Sequence, residues 1–478
     1  MTEGLKAKKE EDFSEWYTEL IQKADLADYS SVSGCMVLKP AVYALWETVQ
    51  NVIDKEFKKI GIQNAYFPLL IPEKLLQKEK KHVEGFSPEV AWVTEAGEHK
   101  LNERLAIRPT SETIMYDSYS KWIRSWRDLP LKINQWNNVV RWEFKNPVAL
   151  LRTREFLWNE GHTVFATKEE ADAERDVILG IYQNFLKDHM ALYGILGRKT
   201  EKEKFAGAEA TYSIEFFLPS GKGIQGPDFH SDGQGFAKAF DIKFLDKNEK
   251  EQYAYQNTFA ITTRMLGVMI AIHGDNKGLV IPPMMAPKKA VIVPIYFDKV
   301  KDKVLKVAKQ VEKSLQGLAF LDEREEHTAG WKFSEWELKG IPLRIEIGPK
   351  DVEKNQAIVV RRDNGEKQTV RLDDLSDEKI NEILNRMQHA LYEKSKKFLE
   401  ASTVEVKDLN ALVKAAQNKK FIKAPYCGNA KCEDLIKTKT EGVTARCIPL
   451  NDPTPKKGSK CVNCGKEAKH NVFFAKAY

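Results

Sequence analysis

The chain has 478 residues, 42% of them hydrophobic and 30% charged, with a formal net charge of +6 at pH 7. These values are typical of a globular protein with room for two or three domains. The first residues include lysines and glutamates rather than an apolar signal region, and no apolar run approaches the ~20 residues that span a bilayer. We therefore expect a cytoplasmic protein without membrane segments. Its mild positive charge permits a nucleic-acid partner without requiring one.

The first two predicted helices are amphipathic. Apolar residues recur at helical spacing over 13–26 and over 40–60, and Gly61 is placed to end the second helix. Residues 65–72 follow as a predicted strand closed by prolines. A long helix that runs into such a strand is a candidate dimer-forming element, although core packing is the simpler interpretation of any single residue here.

A hydroxyl and a carboxylate stand close together at Thr110 and Glu112. One interpretation is a helix N-cap followed by an acidic residue in the first turn. The other is a ligand-binding pair at a strand-to-helix junction. Glu112 suits a secondary amine with two N–H bonds, because an ionised carboxylate only accepts hydrogen bonds. The residue types alone leave both interpretations open.

A β-hairpin is predicted over 139–163, and the rest of the chain is organised around it. Its first strand carries Arg141 and Glu143 on one face, a loop surrounds Lys145, and its second strand begins near Phe156. An exposed, salt-bridged hairpin is one interpretation of this pattern.

A site for a phosphorylated, planar ligand is the other interpretation of the hairpin. Arginines offer a planar fork of donors that matches phosphate oxygens, and aromatic rings can stack on a base. The apolar side chains of the stretch favour burial, and buried arginines and glutamates need partners. The arginines are Arg141, Arg152 and Arg154, and the apolar residues are Trp142, Phe144, Phe156, Leu157 and Trp158.

Beyond the hairpin, a long helix over 168–192 and a later strand over 236–244 are predicted. Residues 221–226 match the dinucleotide-binding pattern GxGxxG, but Pro227 follows and no βαβ unit surrounds them. We therefore interpret these glycines as turn residues. A further strand leads into a buried helix whose one strong cation is Arg264, and a buried lone arginine needs an anion.

These motifs stand in the order of the three signature motifs of class II aminoacyl-tRNA synthetases, which the chain resembles. Within that class, segments 108–113, 156–162, 203–208 and 474–478 are similar to prolyl-tRNA synthetases of the archaeal and eukaryote-like type, which carry a C-terminal zinc-binding domain. The resemblance covers essentially the whole chain. The signature residues are Pro68, then Arg141, Glu143, Arg152 and Phe156, then Arg264.

The resemblance implies an α+β fold, with a class II antiparallel sheet and flanking helices in the catalytic domain. An α/β anticodon-binding domain and a small α+β zinc-binding domain would follow. The predicted boundaries are 1–286, 287–395 and 396–478. It further implies a homodimer that joins proline to tRNA(Pro) through a prolyl-adenylate, using ATP and Mg²⁺. The interval between the second and third motifs is too short for a large editing insertion, so none is expected.

The resemblance also assigns roles to individual residues. Attack of a carboxylate on the α-phosphate of ATP needs no protein nucleophile, only two aligned anions and groups that take up the developing charge. The implied catalytic residues are Arg141, Glu143, Arg152 and Arg264, with Arg141 bridging the proline carboxylate and the α-phosphate. Proline would be bound by Thr110, Glu112, Arg141, Trp158, Glu160, His162, Phe205 and His230. ATP would be bound by Arg141, Glu143, Arg152, Phe156, Gln225 and Arg264. Tyr478 would turn its carboxylate toward this site.

Two departures from the family pattern affect the nucleotide. The family usually carries Gly-Thr-Ser where this chain has residues 227–229, so Asp228 either replaces a hydroxyl contact to ribose or proline, or repels phosphate. Ala260 stands where a glycine would let adenine approach closely, which predicts weaker binding of ATP.

Alternating strands and helices after Pro287 predict a compact α/β module. By resemblance, Glu337, Arg344 and Lys350 would read the proline anticodon. A solvated surface role is the ordinary alternative for isolated charged residues.

Five of the six cysteines lie close together near the end of the chain. Such clustering, in a chain otherwise poor in cysteine, favours zinc over disulfides. Cys427, Cys432, Cys461 and Cys464 are the predicted ligands of a structural tetrahedral site, because short paired spacings suit chelate loops. Cys447 is the spare, and a zinc-free, redox-labile tail is the alternative.

Three hypotheses remain at this point. The first is a proline-charging ligase, and the second is another class II synthetase, specific for threonine or histidine. The third is a non-catalytic tRNA-binding paralogue. Thr110, Glu112 and Phe205 favour the first over the second, and the retained arginines argue against the third.

Overall fold

The structure, a computed structural model, describes residues 4–82, 89–143, 146–315 and 317–478, without the side chains of 78–82. Phe144 and Lys145 of the predicted hairpin lie outside the described residues. No helix in these ranges is both long and apolar enough to cross a membrane.

The first part of the fold combines a large antiparallel sheet with helices. Its helices are α1 (Phe13–Lys23), α2 (Pro40–Lys59), α3 (Glu73–His82), α4 (Glu112–Trp122), α5 (Lys168–Asp188), α6 (Gly235–Phe240) and α7 (Arg264–His273). Its strands are β1 (Ala27–Tyr29), β2 (Met36–Leu38), β3 (Gln63–Asn64), β4 (Leu70–Pro72), β5 (Trp92–Ala96), β6 (His99–Ile107), β7 (Leu131–Val140), β8 (Glu155–Phe165), β9 (Ile195–Arg198), β10 (Ala210–Phe217), β11 (Lys222–Gly233), β12 (Lys243–Leu245), β13 (Glu251–Tyr253) and β14 (Tyr255–Thr262).

The second part is a separate α/β unit with its own five-stranded sheet, in the order β16-β15-β17-β18-β19. Strand β15 runs parallel to both of its neighbours, as expected where helices cross over between strands. The elements are β15 (Ala290–Pro294), α8 (Lys301–Ser314), β16 (Ala319–Leu321), α9 (Ala329–Leu338), β17 (Leu343–Ile347), α10 (Pro349–Glu353), β18 (Gln356–Arg361), β19 (Lys367–Arg371) and α11 (Asp377–Ser402).

The last part extends the first sheet instead of forming one of its own. Its strands complete an 11-stranded sheet in the order β20-β21-β23-β22-β9-β10-β11-β14-β8-β7-β3. Its elements are β20 (Thr403–Glu405), α12 (Leu409–Gln417), β21 (Phe421–Tyr426), α13 (Ala430–Lys439), β22 (Val443–Pro449) and β23 (His470–Ala477). The predicted α+β architecture, with an antiparallel sheet and flanking helices, is confirmed.

The central strands have one apolar and one polar face, because alternate side chains point to opposite sides. On the apolar face, Phe259 packs parallel to Phe229 and edge-on against Phe57 of α2. Gly161 is required beneath Phe259, since an added Cβ would lie 2.0 Å from the phenyl ring. The opposite face of the same strands carries Glu160, His162, Asp228, His230 and Thr258, and it forms the site.

The hairpin prediction is confirmed, but its details are partly wrong. Strands β7 and β8 pair in antiparallel register, with Val140 opposite Glu155. The first strand ends at Val140, so Arg141 and Glu143 lie in the connection and not on the strand. Trp142 is 41% exposed, which contradicts the expectation that all these aromatic residues are buried.

Two other predicted strands are also wrong. Only Leu70–Pro72 of the segment 65–72 is a strand, because Pro68 lacks the N–H that a central ladder needs. Most of the segment 236–244 is not a strand, since α6 precedes the short β12. Phe236 and Phe240, four positions apart, both pack against Tyr116, and this spacing is that of one helix face.

Candidate active site

Two adjoining cavities open on the polar face of the sheet. The larger has a volume of about 430 Å³ and the smaller about 100 Å³, and they share Arg141, Trp158, Gln225, Asp228 and Ala260. The rest of the larger wall consists of Pro109, Thr110, Glu112, Glu143, Glu160, Gly161, His162, Glu203, Lys204, Phe205, Thr211, His230, Thr258 and Phe259. The rest of the smaller wall consists of Leu150, Leu151, Thr153, Phe156, Gly226, Thr262 and Arg264.

The larger cavity therefore collects every residue that the sequence analysis assigned to proline. They come from positions as far apart as Thr110 and His230. Antiparallel pairing of β8 and β11 with β14 brings together those on strands, which are Trp158, Glu160, His162 and His230. Of the residues assigned to ATP, Phe156 and Arg264 lie in the smaller cavity, and Glu143 lies in the larger one.

Arg152 is not part of either cavity wall. Its Nη1 donates to the main-chain oxygen of Tyr478 at 2.7 Å, which agrees with the expectation that this residue approaches the site. The backbone N–H of Tyr478 in turn donates to the carbonyl of Gly223 at 3.0 Å, beside the site strand β11.

Thr110 does not cap the helix that follows it. The N-cap residue of α4 is Ser111, and its own side chain forms no capping hydrogen bond. Instead, the Thr110 hydroxyl donates to the carboxylate of Glu112, which lies in the first turn, and both residues are buried. This pair lines the larger cavity, which favours the ligand-binding interpretation over the structural one.

Glu160 is the best-anchored carboxylate of the site. It accepts hydrogen bonds from the backbone N–H of Ser111 at 2.9 Å and from Nδ2 of Asn137 at 2.6 Å, and His162 Nε2 lies 3.3 Å away. Burial by itself raises the pKa of Glu160, but these hydrogen bonds and His162 hold it below its ordinary value. Glu160 therefore stays ionised and fixes the floor of the cavity.

Arg141 and Arg264 bring positive charge to the smaller cavity. The Nε of Arg141 donates to the carbonyl of Pro109 at 2.9 Å, and its guanidinium lies 5.5 Å from the ring centre of Phe156. Arg264 donates to the carbonyls of Leu151 and Gln225. Burial lowers the pKa of Arg264 to about 10, and the nearby charge of Arg141 adds to this effect. The neighbouring charge of Asp228 opposes this lowering without cancelling it, so the two close guanidinium groups still favour an anion beside them.

His230 is held as a neutral ring. Its Nδ1 lies 2.9 Å from the hydroxyl of Thr211, and its ring centre lies 5.0 Å from that of Phe205. Burial lowers the pKa of His230, and the neighbouring charge of Asp228 opposes that shift without cancelling it.

The sequence analysis missed the polar residues that support Glu160. Asn137 bonds it directly, and Gln135 donates from Nε2 to the Ser111 hydroxyl at 3.2 Å. Polar residues at alternate positions of a buried strand were the available signal, because they share one face of β7. This signal lies before residue 139, where the predicted hairpin begins.

Of the three anticodon candidates, two come together. Arg344 donates from Nη1 to Glu337 at 3.4 Å and from Nε to Glu346 at 2.9 Å, and its guanidinium lies 4.2 Å from the ring centre of Phe333. Lys350 lies in α10 and forms no hydrogen bond or ion pair with Glu337 or Arg344 in the described part of the chain.

The four predicted zinc ligands converge, and their geometry fits the metal. The sulfur atoms of Cys427, Cys432, Cys461 and Cys464 all lie within 4.8 Å of one another. Those of Cys427 and Cys432 are 3.6 Å apart, and those of Cys427 and Cys464 are 3.8 Å apart. These distances are far longer than a disulfide bond and close to the ~3.8 Å edge of a tetrahedron with Zn–S bonds of ~2.3 Å. Cys447 lies apart from them, in an apolar cluster with Phe217 and Phe473.

Comparison with known proteins first defines the class. Residues 92–273 match the tRNA synthetase class II core domain of the G, H, P, S and T type. Residues 289–382 match an anticodon-binding domain, and residues 409–478 match the C-terminal domain of prolyl-tRNA synthetase. The chain thus contains the core, anticodon-binding and C-terminal domains of a class II aminoacyl-tRNA synthetase.

Full-length relatives define the family. The chain is 50% identical to a proline–tRNA ligase 2 of Bacillus cereus over 473 residues, which are 98% of each protein. It is 49% identical to proline–tRNA ligase of Ruminiclostridium cellulolyticum over 98% of this chain and 97% of that protein. The crystal structure of prolyl-tRNA synthetase from Cryptosporidium parvum, complexed with halofuginone and AMPPNP, superposes with a TM-score of 0.95 at 42% identity and covers 99% of both chains.

The chain belongs to the prolyl-tRNA synthetases, the proline–tRNA ligases of class II. It uses ATP to attach proline to tRNA through an aminoacyl-adenylate, which is the reaction of this family. The proline-charging hypothesis is therefore confirmed over a threonine- or histidine-specific enzyme and over a non-catalytic paralogue.

Proposed function

We propose that the larger cavity binds proline and that the smaller cavity binds the nucleotide of Mg²⁺–ATP. The observation that carries this proposal is the shared wall, where Arg141 belongs to both cavities. A carboxylate in the first cavity and an α-phosphate in the second would meet at this guanidinium. Arginine can bond two anionic oxygens at once through its planar fork.

The imino nitrogen of proline is assigned to Thr110 and Glu112. Glu112 offers an acceptor to a secondary ammonium, and the bond from Thr110 fixes its orientation. Glu160 and His162 form the floor, and Trp158, Phe205 and His230 enclose the ring.

The chemical step follows from this arrangement. A proline carboxylate oxygen attacks the α-phosphorus of ATP, a P–O bond forms, and pyrophosphate leaves with its electron pair. Arg141 and Arg264 stabilise the growing negative charge, and Phe156 supports adenine. Arg152 lies outside both cavity walls and stays a proposed ligand of ATP. Glu143 is the carboxylate that we assign to Mg²⁺–ATP. The prolyl group then passes to a hydroxyl of the terminal tRNA ribose, and AMP is released.

Proline-dependent exchange of pyrophosphate into ATP tests these roles. We expect Arg141→Ala to lower the exchange rate by about 10²–10³, because it removes a donor aimed at the developing charge. Arg371→Ala is a matched control, since Arg371 is an exposed arginine of β19 that pairs with Asp373 outside the site. Exchange by Arg141→Ala at nearly the wild-type rate would contradict the role of Arg141.

We infer that the four-cysteine cluster binds one structural zinc ion. The sulfur separations support tetrahedral coordination, and four protein ligands leave no open position for catalysis. Anticodon reading by Glu337, Arg344 and Lys350 also remains a proposal, supported by the match of residues 289–382 to an anticodon-binding domain.

A homodimer is the assembly that we propose. Its support is a set of exposed apolar residues in α2, in β4 and in the segment before β4, where Tyr43, Leu70 and Tyr66 are 41%, 37% and 74% exposed. Light scattering on the purified protein, with Tyr66→Asp as a disrupting variant, tests it. We retain the domain boundaries after 286 and after 395, and the cytoplasmic location, as predictions.

A further inference from the structure

Three buried polar side chains beside the larger cavity lack hydrogen-bond partners. They belong to Asp232, Gln256 and Thr258, which are 1%, 1% and 4% exposed. Both carboxyl oxygens of Asp232, both ends of the Gln256 amide and the Thr258 hydroxyl have no partner of good hydrogen-bonding geometry among the described residues. Buried polar groups without partners are rare and costly, so five such atoms together need a specific explanation.

The three side chains lie where β11 and β14 pair irregularly. Thr258 stands opposite His230 and Gln256 stands opposite Gly233, and the register of the two strands shifts at Asp232. Thr258 and His230 line the larger cavity, whereas Asp232 and Gln256 are not part of its wall. The carboxyl group of Asp232 therefore belongs to a polar layer directly behind the cavity.

The surroundings of Asp232 are apolar or acidic. Just beyond it, Phe236 of α6 packs against the ring of Tyr116. The carboxylate of Glu209 lies close by, since a Cβ added to Gly233 would collide with it. No lysine or arginine in the described part of the chain forms an ion pair with Asp232. This carboxyl group thus has neither a cation nor a hydrogen-bond donor to stabilise a negative charge.

A carboxyl group in such a place takes up a proton, because the ionised form is far more costly to bury than the neutral acid. Burial, together with the negative charges of Glu112 and Glu209, raises the pKa of Asp232 well above its ordinary value. The neighbouring hydroxyl of Thr258 opposes this shift without cancelling it.

The cavity side of the layer adds no positive charge to Asp232. Glu160 stays ionised, His162 lies 3.3 Å from the Glu160 carboxylate, and burial lowers the pKa of His230. The two cations of the cavity wall, Arg141 and Lys204, are bonded to other groups. Glu112, which lines the cavity, is therefore the route by which a ligand in the cavity can act on Asp232.

We propose that Asp232 is a positioning residue for proline, a neutral acid in the empty enzyme that releases its proton when the imino cation of proline binds at Glu112. This inference rests on the proposed assignment of the larger cavity to proline. The bound cation offsets the charge of Glu112 and so favours the ionised form of Asp232. The O–H bond of Asp232 is the bond that breaks, and its proton passes to the solvent.

The affinity for proline should therefore depend on pH in a defined direction. The pKa of Asp232 is higher in the empty enzyme than in the complex, so binding releases up to about one proton between these two values. Within that range, the affinity rises with pH by up to about tenfold per pH unit. It is level below the lower pKa and level again above the higher one.

Calorimetric titration of the full-length enzyme with proline tests the proposal. Titrations from pH 5 to pH 9, in buffers of different ionisation enthalpy, give the affinity and the number of protons released per bound proline. For the wild type, we expect a gain in affinity of about tenfold across this range, a common size for coupling between two sites. Protons are counted per bound proline, so a partly unfolded preparation does not disturb the comparison.

Asp232→Asn is the decisive variant, because an amide has the size of the neutral acid and never ionises. It should bind proline as the wild type does at the acidic end of the range, and it should lack the later gain in affinity and the proton release. The difference between the two proteins isolates Asp232 from the other titratable groups of the cavity. Asp241→Asn, at the exposed end of α6, is the matched control and should release protons like the wild type.

Equal proton release by the wild type and Asp232→Asn would overturn the inference. A loss of affinity in Asp232→Asn that is the same at every pH would also overturn it, because a purely structural role gives that result. Both results leave the assignment of the larger cavity standing. That assignment has its own test, since it fails if Glu112→Gln binds proline as tightly as the wild type.

Discussion

The anticodon-binding unit and the C-terminal unit are joined to the catalytic sheet in different ways. The anticodon-binding unit has its own sheet and its own core around Ile292, Ile345 and Val359. The C-terminal unit has a core of its own as well, but its strands continue the sheet that carries the active site. Two neighbouring units of similar size can therefore differ greatly in how directly they affect the site.

The junction with the C-terminal unit is buried and charged. Glu215 of β10 accepts hydrogen bonds from Lys199 at 2.6 Å and from Nε of Arg446, in β22, at 2.9 Å, and all three side chains are buried. Lys199 also donates to the carbonyl of Arg446. Burial raises the pKa of Glu215, but Arg446 and Lys199 outweigh that effect and lower it to about 2.

The junction with the anticodon-binding unit is less completely buried, because the side chain of Asp275 is 37% exposed. Arg362 donates to both carboxylate oxygens of Asp275, at 2.8 and 2.6 Å. The backbone N–H of Leu279 donates to the carbonyl of Leu338 at 2.9 Å. No strand of the described residues passes between these two sheets, so displacement of the anticodon-binding unit would leave the catalytic sheet intact.

The largest effect is expected when the C-terminal unit loses its proposed zinc ion. We expect Cys461→Ser to lose about one bound zinc per chain and the cooperative folding of the C-terminal unit, because structural zinc contributes ~10–16 kcal/mol of binding free energy. Elemental analysis and thermal unfolding measure both effects. Cys35→Ser, outside the cluster, is the control. A wild type without zinc would remove the metal proposal and leave the catalytic assignments untouched.

The second largest effect is expected when Arg446 is removed from the junction with the C-terminal unit. We expect Arg446→Ala to lower the free energy of unfolding by about 3–5 kcal/mol, because it leaves part of a buried charge without its partner. Urea denaturation measures the loss. The control is Lys202→Ala, which breaks an exposed ion pair with Asp434 across the same junction and should cost less than about 1 kcal/mol. If both variants lost the same free energy of unfolding, burial of the pair between Arg446 and Glu215 would not contribute to stability.

Acid should weaken the same junction. Glu215 has a lower pKa in the folded chain than its ordinary 4.5, so its stabilising contribution is complete above pH 4.5 and is lost as the pH falls toward 2. The difference corresponds to about 3 kcal/mol. Urea midpoints of the wild type should therefore fall more steeply between pH 5 and pH 3 than those of Glu215→Gln. Parallel curves would contradict this prediction.

The smallest effect is expected at the other junction. Arg362→Ala removes a bidentate ion pair whose arginine is buried and whose Asp275 is 37% exposed, and it should cost about 1.5–3 kcal/mol. Since no catalytic strand is disturbed, pyrophosphate exchange should stay within about twofold of the wild type while tRNA charging falls by a few fold. A comparable fall in exchange would show that both units are coupled to the active site and would remove the contrast between them.

Much of the site could be predicted because the types of its residues indicate what they can bind. Arg141 and Arg264 were identified from charged residues in apolar surroundings and from the resemblance, and Glu160 from the resemblance alone. Gln135 and Asn137 were not, since a neutral amide gives no sign of its partner until β7 and β8 are paired. The strand expected over 236–244 failed for a similar reason, because the phenylalanines of a short helix and of a strand differ only in the neighbours that they contact.

The sequence by itself determined the family, the reaction and the four clustered cysteines, because each depends on local residue order or on motifs that keep their spacing. Only the tertiary structure decided that Thr110 bonds Glu112 instead of capping a helix. It also decided that Arg141 lies on a wall common to two cavities, and that the C-terminal strands extend the catalytic sheet. The extension of the sheet arises from pairing between strands that lie far apart in the chain, such as β9 with β22 and β11 with β23, and no local pattern encodes which strands will meet.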